Sequence, residues 1–282
     1  MTFLRTEKDL SILTQDAELS QPKLSQPNMP HVIGLLPAGG QATRLSPLPL
    51  SKELYPLGFQ TAADGRTVPK VVSHYLLEKM RRAGMTTAFF ILRPGKWDIP
   101  AYYGDGAMVQ MRLGYLTVHV PYGVPYTLDQ AYPFLRDATV AIGFPDILFQ
   151  PEDAFSVVLA RLWQGGADVV LGLFPTENFR KAGMVQFDAS GRVQRIIEKP
   201  QQTDLKYMWA IAVWTPRFTD FLHEFVTGKI PETEVPIGDV IQAGIDAGLR
   251  VEAEAFADGS YLDVGTPDDL ARAIRQLTPA PD

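Results

Sequence analysis

The chain has 282 residues, of which 46% are hydrophobic, and a formal net charge of −6 with a pI near 5.3. This length and hydrophobic content are enough for one large buried core, whereas the acidic balance argues against nucleic acid or an anionic membrane as the main partner. Cysteine is absent, which excludes disulfides, thiol catalysis and cysteine metal sites and fits a cytoplasmic protein. We find neither an apolar run of membrane-spanning length nor a secretory pattern at the N-terminus.

Residues 1–30 are rich in Gln, Ser and Pro, and we expect them to form a flexible N-terminal extension. After Pro30, segments with strand and helix patterns alternate along the chain. The predicted strands are 31–36, 86–92, 139–142, 167–174 and 251–256, with shorter ones at 184–187, 193–197 and 207–214. The predicted helices are 68–83, 155–164, 236–248 and 267–276.

This alternation predicts right-handed βαβ units and therefore an α/β fold. The expected architecture is a Rossmann-like, mixed but mainly parallel sheet flanked by helices. The short strands after residue 183 break the alternation, and we interpret them as a smaller subdomain folded onto the first. In such sheets ligands collect at the carboxyl ends of the strands.

The first predicted strand runs into a loop of small residues, 37–42, which is followed by Thr43, Arg44 and, further on, Lys52. Small residues let the backbone approach a ligand closely, and consecutive N–H groups in such a loop can bind an anion. A guanidinium and an ammonium group just downstream supply positive charge for a polyphosphate. The pattern favours a nucleoside triphosphate, and the alternative is an ordinary glycine turn followed by two solvated cations.

Two better-known glycine loops do not fit this segment. A Walker loop needs Gly-Lys-Ser/Thr together, and Lys52 stands well away from Gly40. A dinucleotide-binding loop opens directly into a helix, which Pro47 and Pro49 prevent here. The glycine spacing therefore excludes an NAD-dependent dehydrogenase.

Two consecutive segments carry a resemblance to a known family. Residues 39–47 read GGQATRLSP and residues 51–56 read SKELYP. They resemble the motifs G-G-x-G-T-R-L-x-P and S-K-x-L-x-P of the sugar-1-phosphate nucleotidyltransferases. The resemblance covers residues 32–277 and is closest to the glucose-1-phosphate thymidylyltransferases.

Ala42 departs from the family motif, which has Gly at this position. We expect Ala42 to have a negative φ and to point its methyl group away from the phosphates, because a positive φ would strain an alanine. A positive φ would instead favour a non-catalytic protein.

The resemblance implies a Mg²⁺ site formed by Asp146, in the segment FPDILF, and Asp263, in YLDVGTP. It also implies that the Glu-Lys-Pro segment at 198–200 binds the sugar phosphate. The residues implied as catalytic are Arg44, Lys52 and Lys199. Those implied to bind the nucleotide are Gly39, Gly40, Gln41, Ala42, Thr43, Tyr122 and Thr127. Those implied to bind the sugar are Gly183, Glu198, Lys199 and Trp209.

The base-reading positions Tyr122 and Thr127 depart from the family pattern, and Ala210-Ile211 replaces a Thr-Gly pair in the sugar-side strand. We expect this replacement to alter the sugar pocket. By resemblance, the nucleotide-binding part is about 31–175 and the sugar-binding part about 176–262, within one nucleotidyltransferase domain at 31–282.

The implied reaction is the Mg²⁺-dependent condensation of an NTP, dTTP or UTP by resemblance, with a sugar 1-phosphate, giving an NDP-sugar and pyrophosphate. The alternative is a non-catalytic protein on the same fold that senses a nucleotide or sugar nucleotide. The substitutions at Ala42, Tyr122, Thr127 and Ile211 motivate this alternative, and the retained charged residues of the motifs argue against it. Neither nucleic acid nor a membrane is expected as a partner, and a homo-oligomer is left open.

Overall fold

The computed structural model describes residues 31–62, 64–119, 122–228 and 231–277. The predicted extension at 1–30 therefore lies outside the described residues. The strands are β1 (Val32–Ala38), β2 (Pro56–Thr61), β3 (Thr67–Val71), β4 (Thr87–Leu92), β5 (Arg112–Thr117), β6 (Thr139–Gly143), β7 (Ile147–Gln150), β8 (Val169–Pro175), β9 (Gly183–Phe187), β10 (Val193–Glu198), β11 (Tyr207–Trp214), β12 (Val251–Ala255) and β13 (Ser260–Asp263). The helices are α1 (Val72–Arg82), α2 (Asp98–Tyr103), α3 (Val124–Asp129), α4 (Tyr132–Leu135), α5 (Ala154–Gly165), α6 (Pro216–Thr227), α7 (Ile237–Asp246) and α8 (Pro267–Leu277).

Nine strands of the described part of the chain form one mixed sheet. Strand β1 lies inside it and pairs in parallel with β4 and β6, and β5 follows β4 in the same direction. Strand β11 runs antiparallel to β6 and to β8, and β8 pairs in parallel with β12. The predicted α/β fold with a mixed sheet flanked by helices is confirmed.

Two apolar clusters pack on the sheet, and each includes helices that cover it. The first contains Leu76 and Met80 of α1 together with Phe155 and Leu159 of α5. The second contains residues of α6 and α7, such as Phe218 and Val240. Strand β1 is buried over most of its length because its side chains alternate between the two clusters.

The prediction of a helix from residue 68 was wrong at its start. Residues 67–71 form β3, which pairs with β2 in a hairpin, and α1 begins at Val72. A residue that precedes proline is pushed away from the helical region, so Val68 before Pro69 adopts an extended backbone.

The short strands β9 and β10 do not form a sheet of their own. They pair with each other, and β9 joins β11 in the main sheet through Met184 and Met208. The division into nucleotide and sugar parts remains a prediction. No helix among the described residues is both long enough and apolar enough to cross a membrane.

Candidate active site

The loop predicted to bind phosphates follows directly from the central strand β1. It turns where the Leu45 N–H donates to the Ala42 carbonyl at 3.0 Å. A Cβ placed on Gly39 would lie 3.8 Å from the Thr127 hydroxyl, so these two predicted nucleotide-binding residues are neighbours. The Thr127 hydroxyl is held by α3, because it donates to the Gly123 carbonyl at 3.1 Å.

The expectation for the backbone of Ala42 was wrong. Its φ is +53°, in the left-handed region that favours glycine. The loop therefore follows the backbone path that the family's glycine would allow, and alanine adopts it at a cost of about 1 kcal/mol. Ala42 also lies in the wall of a cavity beside the loop.

The two predicted metal ligands are brought together by the short antiparallel pair β7–β13. Its register sets Asp263 opposite Ile147, next in sequence to Asp146, and the Val264 N–H donates to the Asp146 carbonyl at 2.9 Å. Burial, and then the charge of Asp146, raise the pKa of Asp263 to about 6, against the opposing effect of Lys52 and Arg44. Two crowded carboxylates of this kind gain from a shared cation.

Two predicted catalytic cations lie at the same place. Lys52 Nζ forms a direct ion pair with Asp146. Burial alone would lower the pKa of Lys52, but the carboxylates of Asp146, Glu53 and Asp263 together outweigh this effect and the pKa is raised. A Cβ placed on Gly265 would lie 3.0 Å from Asp263 Oδ1 and 3.2 Å from Arg44 Nη2, so Arg44 borders the same small space as the carboxylate.

The neighbours of Lys52 in sequence are fixed by the loop that follows β4. Asp98 accepts hydrogen bonds from the Ser51 N–H at 2.6 Å and from its hydroxyl at 2.7 Å. Lys96 Nζ donates to Glu53 Oε1 at 2.6 Å, and both side chains are buried. Burial raises the pKa of Glu53 and lowers that of Lys96, and in each case the charge of the partner opposes this shift. The two side chains therefore stabilise each other in the charged form.

Sequence reasoning missed this loop, although it follows the carboxyl end of a strand, where the fold places its ligands. Its Arg-Pro-Gly-Lys segment, residues 93–96, was the available signal.

The predicted sugar-binding residues gather at the end of β10. The sheet register pairs Glu198 with Gly183. A Cβ placed on Gly183 would lie 2.6 Å from Trp209 Nε1 and 2.7 Å from Glu198 Oε1. One placed on Gly238, in the first turn of α7, would lie only 1.9 Å from Glu198 Oε1. The Glu198 carboxylate thus occupies a space that exists because both neighbours lack side chains.

Two further observations concern the charged groups here. Burial, and then the nearby Asp239 carboxylate, raise the pKa of Glu198. Asp239 was not among the predicted site residues. Lys199 is exposed and has a φ of +45°, and its N–H donates to the Ala182 carbonyl at 3.0 Å.

Trp209 connects the two halves of the site. Its ring lies 5.7 Å from that of Phe144, two residues before Asp146. Ile211, in contrast, is fully buried in the other apolar cluster and fills the space left by Gly172. A bulge between Trp209 and Ile211 turns the two side chains to different faces of the sheet, and the effect of the Ala210-Ile211 pair on the sugar pocket remains a prediction.

Tyr122 is anchored through its backbone, whose carbonyl accepts the Val235 N–H at 3.0 Å. Its ring meets that of Tyr126 edge-on, with the centroids 5.6 Å apart. A role of Tyr122 in contacting a base remains a prediction.

The model of the nucleotidyl transferase family matches residues 33–279. The chain belongs to this family. Among curated relatives, the low-salt glycan biosynthesis nucleotidyltransferase Agl11 of Haloferax volcanii is 24% identical over 245 residues, which are 85% of this chain and 64% of the relative. The glucose-1-phosphate thymidylyltransferase of Mycolicibacterium smegmatis is 27% identical over 248 residues, 85% of this chain and 80% of the relative.

Among solved structures, a UDP-glucose pyrophosphorylase complexed with UDP-glucose superposes with a TM-score of 0.72 at 17% identity, covering 86% of this nucleotidyltransferase-family chain and 97% of that one. At this identity the likeness concerns the fold alone. The chain spans slightly less than two thirds of the length of the Haloferax relative. The resemblance noted in the sequence is confirmed.

Proposed function

We propose that this protein condenses a nucleoside triphosphate with a sugar 1-phosphate, giving a nucleotide sugar and pyrophosphate. The observation that carries the proposal is the convergence of Arg44, Lys52, Asp146 and Asp263 beside the glycine loop that ends β1. The family membership supports the same reaction class. A cytoplasmic location remains a prediction.

The proposed step is an in-line displacement at the α-phosphorus. A phosphate oxygen of the sugar 1-phosphate forms a bond to this phosphorus, the bond to the bridging oxygen of the β-phosphate breaks, and pyrophosphate leaves with that electron pair. In this proposal the loop at 39–43 holds the phosphates through its backbone N–H groups. Arg44 and Lys52 balance the charge of the departing pyrophosphate.

The donor set fits Mg²⁺. Mg²⁺ is usually held by one or two carboxylates together with substrate phosphates, and Asp146 and Asp263 supply two adjacent carboxylates. No cluster of three or more potential ligating side chains exists among the described residues. When bound, Mg²⁺ would neutralise charge on the α-phosphate and so favour attack by a second anion.

On the sugar side, we propose that Glu198 accepts hydrogen bonds from sugar hydroxyls and that Lys199 holds the sugar phosphate. The buried Trp209 indole N–H borders the same space over Gly183 as the Glu198 carboxylate, to which it is a hydrogen-bond donor, so we propose that Trp209 holds this carboxylate towards the sugar. The curated relative named glucose-1-phosphate thymidylyltransferase favours dTTP with glucose 1-phosphate as the first pair to test, followed by UTP.

The test is a panel of five NTPs against several sugar 1-phosphates, with Mg²⁺, followed by release of pyrophosphate. At least one pair should be turned over, and omission of the sugar phosphate should abolish release. Absence of turnover for every pair, with a protein that still binds a nucleotide, would contradict the proposal.

Such a result would support the non-catalytic alternative, which one observation favours. Ala42 has a positive φ, which favours a non-catalytic protein, and it lines the cavity beside the loop. Against it, every charged group of the site is retained, and the site carries charges that would cost stability without a ligand. We therefore keep the enzyme as the conclusion.

A further inference from the structure

A polar cavity of about 440 Å³ opens beside the glycine loop, between that loop and the loop after β4. This volume lies in the range of about 300–1,000 Å³ that is usual for small-molecule sites. Gln41 and Ala42 of the first loop and Arg93 and Lys96 of the second line it, together with Lys52, which pairs with Asp146. The cavity is therefore continuous with the proposed reaction centre.

Each charged side chain that lines this cavity has an ion-pair or hydrogen-bond partner in the protein, with one exception. Lys52 is paired with Asp146 and Lys96 with Glu53, and Asp98 accepts two hydrogen bonds from Ser51. Arg93 has no ion pair or side-chain hydrogen bond with any described residue, and its Nε is buried. A buried guanidinium nitrogen without an acceptor is costly unless a ligand supplies one.

The position of Arg93 indicates which ligand that is. The proposed α-phosphate site lies at Asp146, Asp263 and Lys52, so the rest of the triphosphate has to run away from these residues along the glycine loop. The cavity is lined by Gln41 and Ala42 of this loop and also by Arg93. A guanidinium group can donate two parallel hydrogen bonds to one phosphate, which suits a terminal phosphate with free oxygens.

Resting on the function proposed above, we propose that this cavity binds the terminal phosphates of the nucleoside triphosphate and that Arg93 contacts the pyrophosphate leaving group. Arg93 then acts on the NTP and on pyrophosphate but not on the nucleotide sugar, which lacks the departing phosphates. The Lys96–Glu53 and Asp98–Ser51 contacts hold the loop that presents Arg93 and, through Ser51 and Glu53, also hold Lys52. One loop would thus position two of the three cations that face the leaving group, Arg93 and Lys52.

The test compares Arg93→Ala and Arg93→Lys with the wild-type protein, and uses Arg112→Ala as the matched control, since Arg112 is exposed at the amino end of β5. Calorimetry with inorganic pyrophosphate and with the NTP, both with Mg²⁺, is the first readout. We expect Arg93→Ala to weaken both affinities by about tenfold or more. Arg93→Lys should weaken them less, and Arg112→Ala should leave them unchanged. Affinity for the nucleotide sugar should be the same in all four proteins.

Unchanged pyrophosphate affinity in Arg93→Ala, or equal losses for pyrophosphate and nucleotide sugar, would overturn the inference. Should Arg93→Ala fail to fold, the comparison of Arg93→Lys with wild type decides in the same way. The outcome is separable from that of the proposed function. A protein that binds pyrophosphate through Arg93 but turns over no sugar phosphate refutes the reaction alone, whereas normal turnover with an unaffected Arg93→Ala refutes the subsite alone.

Discussion

We expect Gly238→Ala to weaken binding of the sugar 1-phosphate without lowering the stability of the fold. A Cβ at this position would lie 1.9 Å from Glu198 Oε1, where an ordinary contact needs at least 3.4 Å. Gly238 lies in α7 at a φ that alanine adopts readily, so the Glu198 carboxylate has to move rather than the helix. A charge-assisted hydrogen bond contributes about 1.5–3 kcal/mol, so its loss should raise the KM for the sugar 1-phosphate roughly 10- to 150-fold. Alanine should meanwhile stabilise the helix by up to about 1 kcal/mol.

The assay measures KM for each substrate by pyrophosphate release and stability by thermal unfolding. The KM for the NTP should stay unchanged, because Gly238 contacts the predicted sugar side of the site. Gly244→Ala is the matched control, since it makes the same change in α7 but meets Leu249 instead of Glu198. An unchanged sugar KM in Gly238→Ala would refute the assigned position of Glu198, and a lower melting temperature would refute the claim that only the carboxylate moves.

Three further predictions concern the phosphate side. Asp146→Asn and Asp263→Asn should each lower kcat by at least about 100-fold with the fold intact, because both are proposed to hold the metal that neutralises transition-state charge; near-normal Mg²⁺-dependent turnover in either would contradict this. Arg44→Ala should weaken NTP binding by about tenfold or more and leave binding of sugar 1-phosphate unchanged, as measured by calorimetry. Ala42→Gly should relieve the positive φ and change the free energy of unfolding by no more than about 1 kcal/mol, since lower strain is offset by a more flexible unfolded chain. It should change NTP affinity less than about twofold, and a large gain in turnover would instead show that Ala42 impairs the loop.

The sequence predicted correctly those features of the fold that a local residue pattern determines. The buried apolar run of β1 and the Gly that ends α5, Gly166 at a φ of +65°, lie where propensity predicts them. The predicted groups Arg44, Lys52, Asp146 and Asp263 do meet in space, because their motifs stand at strand ends that share one edge of the fold.

The remaining features depend on contacts between residues far apart in sequence. The Lys96–Glu53 pair joins residues 43 positions apart, and no spacing rule relates them. The side to which Ile211 points depends on a bulge in β11 and on the room left by Gly172. Asp239 comes close to Glu198 only because α7 packs on β10, where the Gln242 side chain accepts the Ile196 N–H at 2.8 Å.

The strained backbone positions bear on whether the site is active. Among the described residues, three that are not glycine have a positive φ, and two of them, Ala42 and Lys199, belong to the candidate site. Each costs of order 1 kcal/mol or more and persists only where the surroundings fix it. The Leu45 N–H fixes the first through the Ala42 carbonyl, and the Ala182 carbonyl fixes the second. The positive φ of Ala42, taken alone, indicates a loop that tolerates a lost glycine. Since Lys199 carries the same kind of strain at the proposed sugar phosphate, the pair is better explained as backbone geometry that the surroundings impose at both ends of the proposed reaction centre.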